Sequence, residues 1–184
     1  MINPVFHASI LLFLSVLFGL AVVHKLGDFR GFISIVASYL KATPFRNQTF
    51  ILLLAFVAIC CEILIVMTAL SAFLLPSAAS LAGLLSATLL TAYAAAMAFN
   101  ILRGNVLLDC GCSWGEGKTP VNFLLVSRGM MLAGLSCLLL LPAPSSLFSG
   151  FEVLNIIAIS LFAYILYLIA DQIILNQTRK QELP

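Results

Sequence analysis

The residues with the most chemistry in them are Asp109-Cys110-Gly111-Cys112-Ser113-Trp114-Gly115. Here two cysteines flank one glycine, in a loop, beside charged groups. A disulfide across a single residue needs its α-carbons roughly 4.4–6.8 Å apart, so the backbone must fold sharply between them. Gly111 has no β-carbon and gives that turn its freedom. So tight a ring is strained, and strained disulfides are easier to reduce and tend to exchange rather than to brace a fold. The pair therefore reads as a redox-active disulfide that opens and closes. Two unpaired loop cysteines, or half of a metal site, fit the same residues, because CxC is a weaker signal than CxxC. A zinc site is rejected: four ligands are needed, and no second cysteine or histidine pair stands at ligand spacing.

The elements that must position this loop follow from composition. The chain has 184 residues, 62% hydrophobic and 9% charged, against about 25% charged in a soluble domain. It cannot cover a water-facing surface and belongs in lipid. A net charge of +2, scattered along the chain, gives no basis for nucleic-acid binding. Residues 1–184 form one integral membrane domain. The first apolar run lacks a basic leader and a small-x-small cleavage site, so it reads as a retained span rather than a signal peptide.

Five stretches approach the ~20 apolar residues that cross a bilayer: Val5–Leu26, Phe50–Leu75, Ala79–Leu102, Pro120–Leu141 and Phe151–Leu175. They must be helices, since open strand edges leave backbone groups unpaired in lipid. Thr119 and Pro120 look like a cap followed by proline at the first helical position. Gly27–Thr49 is a connector whose Phe29, Phe32, Ile33, Val36, Ala37 and Leu40 fall at helical spacing. That suits an amphipathic segment at the interface, or a lid over the cysteine loop at 103–119. Five crossings put 27–49, the cysteine loop and the C-terminus on one side, with Lys25, Arg30, Lys41, Arg46, Arg103, Lys118, Arg179 and Lys180. The positive-inside rule makes that side cytoplasmic.

Glu62 lies roughly twelve residues, ~18 Å, into the second span at about 1.5 Å per residue. A charge there costs ~2.5–3.5 kcal/mol on insertion scales, so it must face the bundle and find a partner or a proton. Ala55, Ala58 and Ala69 share its face, where neighbouring helices can approach closely. Lys25, Arg103 and Arg128 are the candidate partners, on the same side as Asn100. The arrangement reads either as an ion pair that orders helices or as a set of basic groups that stabilises a thiolate. Lys or Arg can lower a thiol from about 8.5, with Asp109 acting in the opposite sense. Cys60, Cys61 and Cys137 read as small buried packing residues. His7 falls near the far interface, and Trp114 serves as an interfacial anchor or a cover for the disulfide.

The succession His24-Lys25-Leu26-Gly27-Asp28-Phe29, Glu62, Arg103-Gly104, Cys110-Gly111-Cys112-Ser113-Trp114-Gly115 and Arg128 resembles the MauE family of methylamine-utilisation membrane proteins, related to DoxX, over about the whole chain. The resemblance implies an all-α polytopic fold with a DoxX-like bundle core in a bacterial inner (cytoplasmic) membrane. It implies a role in maturing the small subunit of methylamine dehydrogenase, a disulfide-rich periplasmic client, with MauD, a membrane-tethered thioredoxin-like protein. By match to the pattern, Lys25, Glu62, Arg103, Cys110, Cys112 and Arg128 are the positions carried over. A periplasmic client conflicts with a cytoplasmic cysteine loop unless Lys25 and Arg103 are buried, electrons cross the membrane, or the topology is inverted. The leading expectation is a membrane thiol–disulfide carrier. A non-enzymatic assembly factor and a DoxX-like quinone-coupled oxidoreductase subunit are the alternatives. No cofactor beyond the disulfide is required, and a quinone is possible because the pair sits near lipid, although no binding motif supports it.

Overall fold

The chain runs as α1 (Pro4–Gly27), α2 (Phe29–Tyr39), α3 (Gln48–Ser71), α4 (Ala78–Leu102), α5 (Phe123–Cys137), a 3₁₀ turn (Leu138–Leu140) and α6 (Gly150–Gln181). This computed structural model describes residues 3–41, 47–104, 121–142 and 148–181. Cys110, Gly111, Cys112, Trp114 and the rest of 105–120 lie outside the described residues. Five helices are long and apolar enough to cross a membrane, α5 counting with its 3₁₀ turn. The fold is an all-α multi-pass bundle, as the composition requires.

Helix ends are set by local polar groups. Asn3 accepts the Val5 N–H at 2.9 Å, with Pro4 behind it at the first position of α1. Asp28 accepts the Gly31 N–H at 2.9 Å and turns the chain from α1 into α2. At Ser149 a capping box opens α6: the Ser149 N–H donates to Glu152 Oε2 at 2.7 Å. Three boundaries differ from expectation. The fourth span begins at Phe123, because the Asn122 side chain accepts the Leu125 N–H at 2.9 Å and supplies the cap assigned to Thr119. The second span stops at Ser71, and Ala72–Leu74 form the turn ahead of Pro76. The fifth continues past Leu175 to Gln181.

Packing follows the series α6–α1–α3–α4–α5, with α2 laid against α3 and α1. The buried stripe of α3 is Ile51, Ala55, Ile59, Glu62, Ile65 and Ala69, a run of steps of three and four residues that marks one helical face. As expected, small residues and Glu62 share it. The main core lies toward the end where α1 begins: Leu14, Ile65, Ala69, Ala82 and Leu139 pack together there. Gly83 permits the closest approach, because a β-carbon on it would stand 2.7 Å from Leu139 Cβ and 2.9 Å from the Ser136 carbonyl oxygen. His7, placed near the far interface by the sequence, is buried near the start of α1. The cysteine expectation is corrected too. Cys60 and Cys137 are exposed on the lipid-facing surface and Cys61 is half-buried, since none falls on a buried stripe.

Candidate functional site

The opposite end of the bundle, where α1 gives way to α2 and where 105–120 joins α4 to α5, holds the polar groups. Lys25 sits in the last turn of α1, yet it is only 3% exposed, and Glu62 on α3 is 1% exposed. The ammonium donates to Glu62 Oε1. Tyr93 on α4 donates its hydroxyl to the same oxygen at 2.8 Å, and Lys25 Nζ lies 3.4 Å from the Tyr93 oxygen. The rings of Phe32 on α2 and Tyr93 stand 4.8 and 5.0 Å from Nζ. Each buried ion forfeits several kcal/mol of hydration, which its partner, hydrogen bonds and ring faces must offset together. Four helices thus converge on one ammonium. Glu62 Oε2 is buried with no hydrogen-bond partner among the described residues.

A second pair joins the two ends of the helix series. Arg128 on α5 donates to Asp171 on α6, and its guanidinium carbon lies 5.0 Å from the Tyr167 ring centre. α5 and α6 meet mainly through these side chains rather than by close backbone packing. Between them and α1, α3 and α4 is an inner cavity of about 70 Å³, lined by Glu62, Tyr93, Arg128, Tyr164 and Tyr167 among others. A larger outer cavity of about 290 Å³ lies between α2, α3 and α4, with Lys25, Phe32 and Tyr93 on its wall. Lys25, Glu62 and Tyr93 form the partition: Lys25 faces the outer space, Glu62 the inner, and Tyr93 both.

Of the three partners considered for Glu62, the structure selects Lys25. Arg128 is taken by Asp171, although it shares the inner cavity with Glu62. Arg103 is exposed at the end of α4, over the Phe99 ring at 4.0 Å. Burial removes Lys25 from the loop charge, whereas Arg103 stays on the surface, so the charge asymmetry is weakened but keeps its sign. α2 covers Lys25 through Phe32, with Phe32, Ala55 and Ile59 in one apolar cluster. Sequence reasoning missed Phe32 as a ring partner, and Tyr93, Tyr167 and Asp171 altogether. Tyr164, Tyr167 and Asp171, spaced three and four apart, were a readable signal for a polar face on the last span.

The fold and these buried pairs define a multi-pass membrane protein that keeps two ion pairs inside its bundle, both toward the same end. The sequence model of the family "Methylamine utilisation protein MauE" matches residues 3–143. The chain belongs to that family. It is 32% identical to methylamine utilization protein MauE of Paracoccus denitrificans over 154 residues, which is 82% of this chain and 78% of the relative. To the protein of the same name from Methylophilus methylotrophus it is 28% identical over 162 residues, 87% of this chain and 81% of the relative. No solved structure matches. Lys25, Glu62, Tyr93 and Arg128 fall within the matched segment, and Asp171 falls beyond it.

Proposed function

We propose that this chain serves methylamine utilisation as a membrane thiol–disulfide redox protein, with Cys110 and Cys112 as its exchanging pair. Its client is the small subunit of methylamine dehydrogenase, reached through a thioredoxin-like partner of the MauD kind, in the bacterial inner membrane. The observation that carries the proposal is the buried Lys25–Glu62–Tyr93 cluster at the same end of the bundle as Gly104 and Val121, the residues between which the dithiol segment is tethered. Ionisable groups inside a membrane bundle are costly, and the default reading of such groups is functional.

In the exchange, a partner thiolate attacks one sulfur of the Cys110–Cys112 disulfide and forms a mixed disulfide. The partner's second thiol then attacks that bond. The partner leaves as a disulfide, two electrons and two protons pass to Cys110 and Cys112, and the pair is left as a dithiol. Lys25, Glu62, Arg103 and Arg128 act in support, as proton-holding and charge-balancing groups. Gly111 gives the hinge its freedom, and Trp114 shields the pair.

Replacing the second thiol of the thioredoxin-like partner by serine leaves nothing to resolve the mixed disulfide and traps that partner on the Cys110–Cys112 pair, seen on non-reducing gels. Replacing both Cys110 and Cys112 by serine abolishes maturation of the client. If the double variant matures its client normally, the redox reading is overturned in favour of a non-enzymatic assembly factor. If Glu62→Gln cripples the protein while the double serine variant does not, a transport-like DoxX mechanism takes its place.

A further inference from the structure

We infer that the outer cavity is a binding site for a lipid-soluble quinone, which enters from the bilayer between α2 and α4 and sets a ring carbonyl on Lys25. The shape of the cavity comes from small residues. α2 leans on α1 and α3, and Ala92 and Ala96 on α4 leave the space open on its other flank. Leu54 and Val57, on the cavity wall, are 40% and 45% exposed on the membrane-facing surface, so a ligand reaches the space from lipid. At about 290 Å³, it sits at the small end of ligand-pocket sizes. That is room for a ring head and the start of a tail, and too little for a two-chain lipid.

The inner end selects the head group. An ammonium carries three N–H donors. Lys25 gives one to Glu62 and directs a second toward Tyr93, and the third has no acceptor among the described residues. The head must therefore bring a hydrogen-bond acceptor. The charge of Lys25 is already balanced by Glu62, so a carboxylate or phosphate head would be buried against a neutral pair, at a high desolvation cost. A neutral carbonyl meets no such cost. The Phe32 and Tyr93 rings that hold the ammonium also line the outer cavity, so a flat ring set on Lys25 meets aromatic neighbours. A lipophilic, neutral, planar, carbonyl-headed molecule is a quinone. On the other side of the partition, Glu62 faces the inner cavity with Arg128 and the tyrosines, which gives protons a polar approach to a ring being reduced.

Resting on the thiol–disulfide reading, the same site has a chemical role. The quinone takes two electrons and two protons as the Cys110–Cys112 dithiol closes to its disulfide, and leaves as the quinol. Binding itself does not depend on that reading.

The test uses the full chain in lipid nanodiscs and decylubiquinone as the probe. Wild type binds it saturably. Ala92→Phe fills the cavity from a position outside the core, so it lowers affinity at least tenfold while thermal stability holds. Ala95→Phe, exposed on the same helix but off the cavity wall, leaves affinity within twofold. Decylbenzene, which has no carbonyl, competes poorly. Uptake that is non-saturable, or equal in wild type and Ala92→Phe, overturns the site. Equal competition by decylbenzene overturns the carbonyl contact with Lys25. The Cys110→Ser/Cys112→Ser variant retains binding, so failure of the thiol reading and failure of the quinone site register separately.

Discussion

The two halves of the bundle solve the problem of polar groups in lipid differently. Toward the start of α1, the buried serines among the described residues return their hydroxyls to the backbone: Ser9 to the Val5 carbonyl at 2.7 Å, Ser15 to that of Leu11 at 2.8 Å, Ser86 to that of Ala82 at 2.7 Å, Ser136 to that of Leu132 at 2.9 Å, and Ser160 to those of Ile156 at 2.7 Å and Ser9 at 3.0 Å. These bonds are mostly made within one helix and let helices close to the distance that Gly83 allows. Toward the α1–α2 corner, Lys25 pairs with Glu62 and Arg128 with Asp171 across helices, and cavities lie between them. A half whose buried hydroxyls are satisfied mostly by their own helix backbone can pack tightly. A half whose charges depend on distant partners is held by a few strong contacts, and it is the half that can change protonation or admit a ligand.

The sharpest way to break this contrast is Lys25→Met, which strands the Glu62 carboxylate at 1% exposure. Removing one member of a buried pair costs about 3–5 kcal/mol. The loss is read as a lower unfolding midpoint in detergent. Lys25→Met with Glu62→Met should recover most of that stability, because neither charge is left alone, and yet leave client maturation impaired. Recovery of both together would reduce the pair to a structural role. Next in size, Gly83→Val places a branched side chain against Leu139 and the Ser136 carbonyl, and overpacking of this kind costs about 1–3 kcal/mol. Its signature is lost stability with quinone binding preserved. The smallest effect is Ser160→Ala, near the ~0.6 kcal/mol average for hydrogen bonds inside membrane bundles, and without consequence for maturation. A larger loss there would erase the distinction between the halves.

The composition and the apolar runs by themselves determined a helical membrane bundle of five spans, because lipid leaves the backbone no other way to satisfy its own polar groups. The alanine stripe around Glu62 likewise settled which way that residue faces. Partner choice was decided only by the tertiary arrangement. Lys25, Arg103 and Arg128 were equivalent as basic residues near one membrane face, and the sequence carried no measure of the distances between helices. Glu62 pairs with Lys25 because α1 packs on α3, whereas Arg128 finds Asp171 because the two ends of the helix series come round to meet. The cavities are of the same kind: an alanine on α4 is merely small until α2 leans away from it.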